Sequence, residues 1–135
     1  MSKFLGPRAN DFVLNLWLLL LRLAAGGFML THGIPKFLKL VNGNTAFADP
    51  FGLGETLSLV LAVFAEFLCS VLVMLGISTR LATLPLIFTM GVAAFYIHGN
   101  DPFQRKELSL LYFIVFITIL VVGGGKFEAN KILKR

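Results

Sequence analysis

The chain has 135 residues, of which 57% are hydrophobic and only 14% charged, with a mean hydropathy of +0.85. Soluble domains average about 25% charged residues, so the composition excludes a soluble globular protein and points to a single all-α, polytopic membrane domain over residues 1–135. Basic residues outnumber acidic ones, 12 to 7, but they flank apolar runs and form no soluble basic domain. That pattern argues for the lipid bilayer as partner and against nucleic acid.

Four apolar runs follow in chain order. The first, Phe12–Thr31, continues as helix toward Lys36 and predicts a span at about 12–36. No small-residue cleavage site and soluble domain follow it, so it reads as a retained span. Arg22 interrupts it, and Pro35 is placed to kink or end it. A long segment rich in Gly, Asn and Pro, Gly33–Thr56, leads to the second run, Leu57–Ile77. Its only charge is Glu66. Its Cys69, the single cysteine, excludes an internal disulfide and reads as a small packing residue.

The short turn Ser78-Thr79-Arg80 makes a helical hairpin with the third run, Leu81–His98, which contains Pro85. Asn100-Asp101-Pro102 signals another turn. The fourth run, Leu108–Gly125, is opened by Glu107 and closed by Gly123-Gly124-Gly125, before a basic tail from Lys126 to Arg135. A span needs roughly 17–25 residues. The runs therefore predict a four-transmembrane-helix bundle with spans at about 12–36, 57–77, 81–98 and 107–123.

Four spans place Lys3, Arg8, Arg80, Lys126, Lys131, Lys134 and Arg135 on one side of the membrane. Lys36, Lys39, Arg105 and Lys106 fall on the other, where Asp49, Glu55, Asp101 and Glu107 neutralise them. The excess of Lys and Arg predicts that both termini are cytoplasmic.

Charges at mid-bilayer cost at least about 2.5–3.5 kcal/mol. Arg22 and Glu66 have opposite signs and sit near the middle of neighbouring antiparallel runs, so they are expected to pair. On a helix, Arg22, Met29 and Lys36 recur at seven-residue steps and share a face, which His32 joins loosely. Gly26, Gly27 and Gly33 lie on the same helix and permit a close neighbour.

At the outer end His32, Lys36, His98 and Glu107 gather at similar depth. Glu107, His98, Lys36 and the Arg22–Glu66 pair also have plain structural readings: a helix start for Glu107, an interfacial ring for His98, a snorkelling stem for Lys36 and a register-setting pair for Arg22 and Glu66. The functional reading joins Arg22, His32, Lys36, Glu66, His98 and Glu107 into one polar path from the outer surface to the membrane centre. Such a path suits binding the polar head of a membrane-soluble ligand, such as a quinone, or passing protons. No tight His/Glu ligand spacing supports a metal. No phosphate loop, nucleophile elbow or dinucleotide motif is present, and no residue is assigned as catalytic.

The segments Arg22-Leu-Ala-Ala-Gly26, His32-Gly33-Ile-Pro-Lys36, Glu66, Gly76-Ile-Ser-Thr-Arg80 and His98-Gly99-Asn100, with the fourth span opened by Glu107, resemble the DoxX family in order and spacing. The resemblance covers nearly the whole chain. Members often finish with a Gly-Pro-Gly stretch followed by an aromatic, Ser and Asp. This chain departs from that with Gly123-Gly124-Gly125-Lys126-Phe127-Glu128.

The resemblance implies a four-helix bundle in a bacterial or archaeal cytoplasmic membrane, associated with redox chemistry. The founding relatives look like subunits of a thiosulfate:quinone oxidoreductase, and others are linked to membrane oxidoreductase complexes in thiol stress. The implied role is at most that of an oxidoreductase subunit, with quinone as candidate ligand and no covalently bound cofactor. No haem, flavin or iron–sulfur ligand set is visible in the sequence, so electrons would come from a redox partner subunit. Two alternatives stand beside it: a non-catalytic scaffold that assembles homo-oligomers through Phe-rich faces, and a small transporter.

Overall fold

The computed structural model describes residues 10–133. Lys3, Arg8, Lys134 and Arg135, which enter the charge argument above, lie outside the described residues. Among the described residues there is no strand. The elements are α1 (Asp11–Val41), α2 (Glu55–Leu75), α3 (Thr79–Ile97), α4 (Phe103–Val122) and a short α5 (Ala129–Leu133).

Helix α1 starts where the Asn10 side chain accepts the Phe12 N–H at 2.9 Å, with Asp11 in the first turn at the positive end of the dipole. It does not stop at Pro35 but runs on to Val41. Its 31 residues span about 46 Å, well beyond a hydrocarbon core of about 30 Å. Helix α4 begins at Phe103, earlier than expected, so Glu107 falls in its second turn and not at its start.

Helices α1, α2 and α3 are long and apolar enough to cross a membrane. Helix α4 carries Arg105, Lys106 and Glu107 close to its start, which shortens its uncharged stretch. The core is one layer of interlocked side chains: Ala25 and Met29 from α1, Cys69 and Val73 from α2, Leu86 and Met90 from α3, and Phe116 and Ile119 from α4. Trp17, Phe28, Leu81, Phe88 and Val121 point outward. Large apolar groups on the outer surface suit a solvent of lipid.

Two details position the interior. At Gly33 the α1 backbone lies against α2, where an added Cβ would strike the Glu66 carbonyl and come within 2.9 Å of Phe67 N. There α2 widens into a π-helical segment, Phe64–Cys69. The Ser70 N–H turns to the Phe67 carbonyl, and the Ser70 hydroxyl donates to the Glu66 carbonyl at 2.8 Å. Helix α3 ends in a second π segment, Ala93–Ile97, where the His98 N–H reaches the Ala93 carbonyl at 2.9 Å. π segments are short, uncommon insertions that cluster at functional sites.

Gly33→Ala should force α1 and α2 apart and lower the thermal unfolding midpoint in detergent, by the equivalent of about 1–3 kcal/mol. Gly27→Ala is the control, because its methyl would meet only Met74 Cε at 3.9 Å. Equal midpoints for the two variants would show that the close approach at Gly33 does not limit packing.

Candidate functional site

Arg22 is fully buried, and it does not meet Glu66. Its guanidinium donates to four main-chain carbonyls: Nε to Gly124 at 3.0 Å, Nη1 to Val73 and Met74 at 3.1 Å each, and Nη2 to Phe127 at 3.1 Å. Val73 and Met74 lie in the last turn of α2, where carbonyls run out of helical partners and a cation suits the dipole. Gly124 and Phe127 belong to the turn after α4.

The same turn is tied down elsewhere. The Asn15 side chain accepts the Lys126 N–H at 2.8 Å, the Asn130 N–H reaches the Gly76 carbonyl at 3.3 Å, and buried Glu128 pairs with Lys131 at 3.1 Å. Arg22 thus fastens α1, α2 and the tail together.

The expected Arg22–Glu66 pair fails because of register. Gly33 of α1 faces Glu66, and Gly26 faces Ser70 and Met74. Arg22 is further still toward the end of α2. Seven residues of helix, about 10 Å, separate Glu66 from Val73. Because α1 runs on to Val41, Arg22 is the twelfth of its 31 residues and lies ahead of its midpoint.

Glu66 pairs instead with Lys36, Oε1 to Nζ at 2.6 Å. The carboxylate is buried, with 3% side-chain exposure against 28% for the lysine. The pair lines a cavity of about 620 Å³ between the second half of α1, the first half of α2, the second half of α3 and the start of α4. His32, His98, Arg105 and Tyr112 supply its other ionisable groups, and Met29, Ala65, Phe64, Phe88 and Met90 supply apolar wall. The His32 ring stands edge-on to Tyr112, at 5.8 Å and 87°, and Tyr112 stacks on Phe116.

The segment from Asn42 to Gly54 covers the open end of this cavity, with Phe47, Pro50, Phe51 and Leu53 in its lining. The Phe47 ring lies 6.0 Å from Lys36 Nζ and 5.9 Å from Lys39 Nζ. Phe51 packs on Phe88 and Tyr96. Asp49 pins the segment to α2: its carboxylate accepts the Leu53 and Gly54 N–H groups at 2.9 Å and the Ser58 hydroxyl at 3.0 Å. These bonds, the Gly54 N–H first, hold the Asp49 carboxyl below its ordinary range.

Of the six residues expected to form one polar path, the structure brings His32, Lys36, Glu66 and His98 to the cavity. Arg22 is absent from the lining, and the core layer of Met29, Cys69, Val73, Leu86 and Phe116 lies between. Glu107 is exposed and also outside the lining. Tyr112, Arg105 and the covering phenylalanines were not singled out from the sequence. A phenol within the fourth apolar run was the available signal for Tyr112. Nothing local distinguishes Phe47 or Phe51 from the other phenylalanines. Among the described residues no three His, Cys, Asp or Glu side chains come together as a metal site.

Apolar helices around a buried ion pair and a largely apolar cavity define a multi-pass membrane protein with an internal cavity. The DoxX family model matches residues 17–99, more than half of the chain, and the chain belongs to that family. The matched region holds Arg22, His32, Lys36, Glu66 and His98, whereas Glu107, Tyr112 and the tail follow it. A curated relative from Haemophilus influenzae, described as an uncharacterized protein, is 32% identical over 131 residues, covering 88% of this chain and 92% of the relative. No solved structure matches the chain.

Arg22→Gln should release the tail, since each buried carbonyl left unpaired costs about 1–3 kcal/mol. Limited trypsin digestion in detergent is expected to cut after Lys126 and Lys131 at least tenfold faster than in the parent. An unchanged rate would mean that the tail is held by other contacts.

His98 Nδ1 lies 2.8 Å from Asp101 Oδ2 in the turn between α3 and α4. That hydrogen bond, with the nearby charges of Arg105 and Lys106 adding to it, keeps the Asp101 carboxyl below its ordinary range. A lowered carboxyl pKa means the contact is intact above the ordinary value of about 3.9 and is lost as pH falls through the lowered one. Carboxyl-detected NMR should place the Asp101 midpoint below 3.9 in the parent, and His98→Ala should move it upward.

Proposed function

We propose that the protein is a membrane subunit of a redox system that docks the head of a quinone in the cavity beside Lys36 and Glu66. One observation carries this reading: a buried carboxylate–ammonium pair stands inside a largely apolar cavity whose walls include outward-facing rings. The volume of about 620 Å³ lies within the range of roughly 300–1,000 Å³ usual for small-molecule sites, where a few polar groups orient a mainly apolar ligand. Phe64 and Phe88 both line the cavity and are 46% and 65% exposed, so its wall is continuous with the lipid-facing surface. An amphiphile with a ring head and an apolar tail fits that shape.

The chemistry within this reading belongs to binding and proton exchange. Lys36 and Tyr112 offer hydrogen-bond donors to a ring oxygen, Glu66 offers an acceptor, and His32 offers either. Electrons would be exchanged with a partner subunit. Proton exchange would occur on the cavity side, because the core layer parts Glu66 from Arg22. The same layer counts against a small transporter, which needs a polar route between the two ends. Arg22 favours the scaffold alternative for its own half of the molecule, since all its contacts there are architectural.

In this reading α4 crosses the membrane as the fourth span. Arg80, Lys126 and Lys131 then mark the cytoplasmic end, and the cavity opens toward the opposite face.

Native mass spectrometry of the protein released from nanodiscs made from its own membrane tests the proposal. The parent should retain an adduct of quinone mass. Thr89→Trp, which fills the cavity from its half-buried wall, should lose the adduct while keeping the parent's helical content. A parent protein free of any small ligand, or one bound only to a second polypeptide, would shift the reading to a scaffold.

A further inference from the structure

We infer that the ligand meets the Lys36–Glu66 pair through a hydroxyl, so that the site prefers the reduced hydroquinone form of a ring head to its oxidised form. The inference rests on the quinone reading and adds which form of the head fits.

It begins with the two oxygens of Glu66. Oε1 accepts from Lys36 at 2.6 Å. Oε2 takes no hydrogen bond among the described residues, yet the enclosed side-chain atom left without a partner there is Thr79 Oγ1 and not Oε2. Glu66 lines the cavity, so its second oxygen has access to the cavity space. An ionised carboxylate only accepts, whereas an ammonium carries three donors, of which Lys36 has given one to Glu66.

A group seated between the two side chains must therefore donate to Glu66 and accept from Lys36. One hydroxyl oxygen does both. A carbonyl oxygen accepts from Lys36 but turns lone pairs toward Oε2. Once the ligand has displaced water, the carboxylate oxygen would be left buried and unpaired, at a cost larger than an ordinary hydrogen bond returns.

The remaining groups do not reverse this preference. Arg105 can only donate and so favours a carbonyl, but it is exposed at the rim, where water replaces the contact at little cost. His32 and Tyr112 each offer a donor or an acceptor according to protonation or rotation and accommodate both forms. The nearly enclosed carboxylate decides.

The experiment compares a short-tailed benzoquinone with the same compound kept reduced by dithionite, each titrated anaerobically into the full-length protein in phosphatidylcholine nanodiscs. The reduced compound should bind at least tenfold more tightly. For a two-electron couple this raises the midpoint potential of the bound compound by about 30 mV, which redox titration reads independently. Glu66→Gln, whose amide both donates and accepts, should cut the preference to less than threefold. Should that variant fail to fold beside an unpaired lysine, Lys36→Gln with Glu66→Gln removes both charges and should show the same loss.

Equal or tighter binding of the oxidised compound to the parent overturns the inference while leaving a quinone site in place. A tenfold preference that survives in either folded variant also overturns it, because Glu66 would not be its source. Binding of neither form overturns the quinone reading itself.

Discussion

A guanidinium inside a hydrocarbon-facing bundle must find acceptors for its N–H groups, and Arg22 finds them in the backbone. Four carbonyls from two places in the chain converge on it. The end of α2 and the turn after α4 have carbonyls to offer because both are points where regular helix stops. One side chain thereby satisfies the termini of two elements and holds the tail across the bundle. A carboxylate partner would have supplied charge balance but not this cross-linking, and it would have consumed Glu66.

Since Arg22 is satisfied elsewhere, Glu66 is available to Lys36. That pairing depends on Gly33, which lets the α1 backbone lie directly on the Glu66 peptide. The lysine stem, one turn further along, then reaches back to the carboxylate. The cavity beside it persists because the two π segments widen α2 and α3 where they face it. The Asn42–Gly54 segment closes the open end with aromatic rings, anchored by Asp49. The molecule thus has a tightly packed end organised by Arg22 and a hollow end organised by Glu66.

Much of this was legible in the residues. The apolar runs located the four long helices, and the seven-residue step from Met29 to Lys36 placed two cavity residues on one face. His32, Glu66 and His98 stood out because ionisable groups in apolar runs need a reason to be there. The partner of Arg22 was not legible, because main-chain carbonyls carry no signature in the side-chain sequence. Nor was the register of α1 against α2, which depends on a glycine contact and on a helix that continues through Pro35 to Val41. Glu107 was expected at a helix start, but Pro102 and Phe103 begin the helix earlier and turn it outward. The cavity itself depends on π turns, whose hydrogen bonding follows from packing and not from composition.

The π segment of α2 has a consequence for how this protein can vary. One residue beyond the regular count advances every later side chain by about 100° around the axis. The two halves of α2 are therefore out of phase, each with its own inward stripe. The half around Glu66 can exchange side chains and reshape the cavity without rotating the half that presents its carbonyls to Arg22. A deletion that restored regular winding would swing that second half by more than a quarter-turn and unseat the anchor. In this architecture, diversification of the hollow end is inexpensive as long as the extra residue is kept.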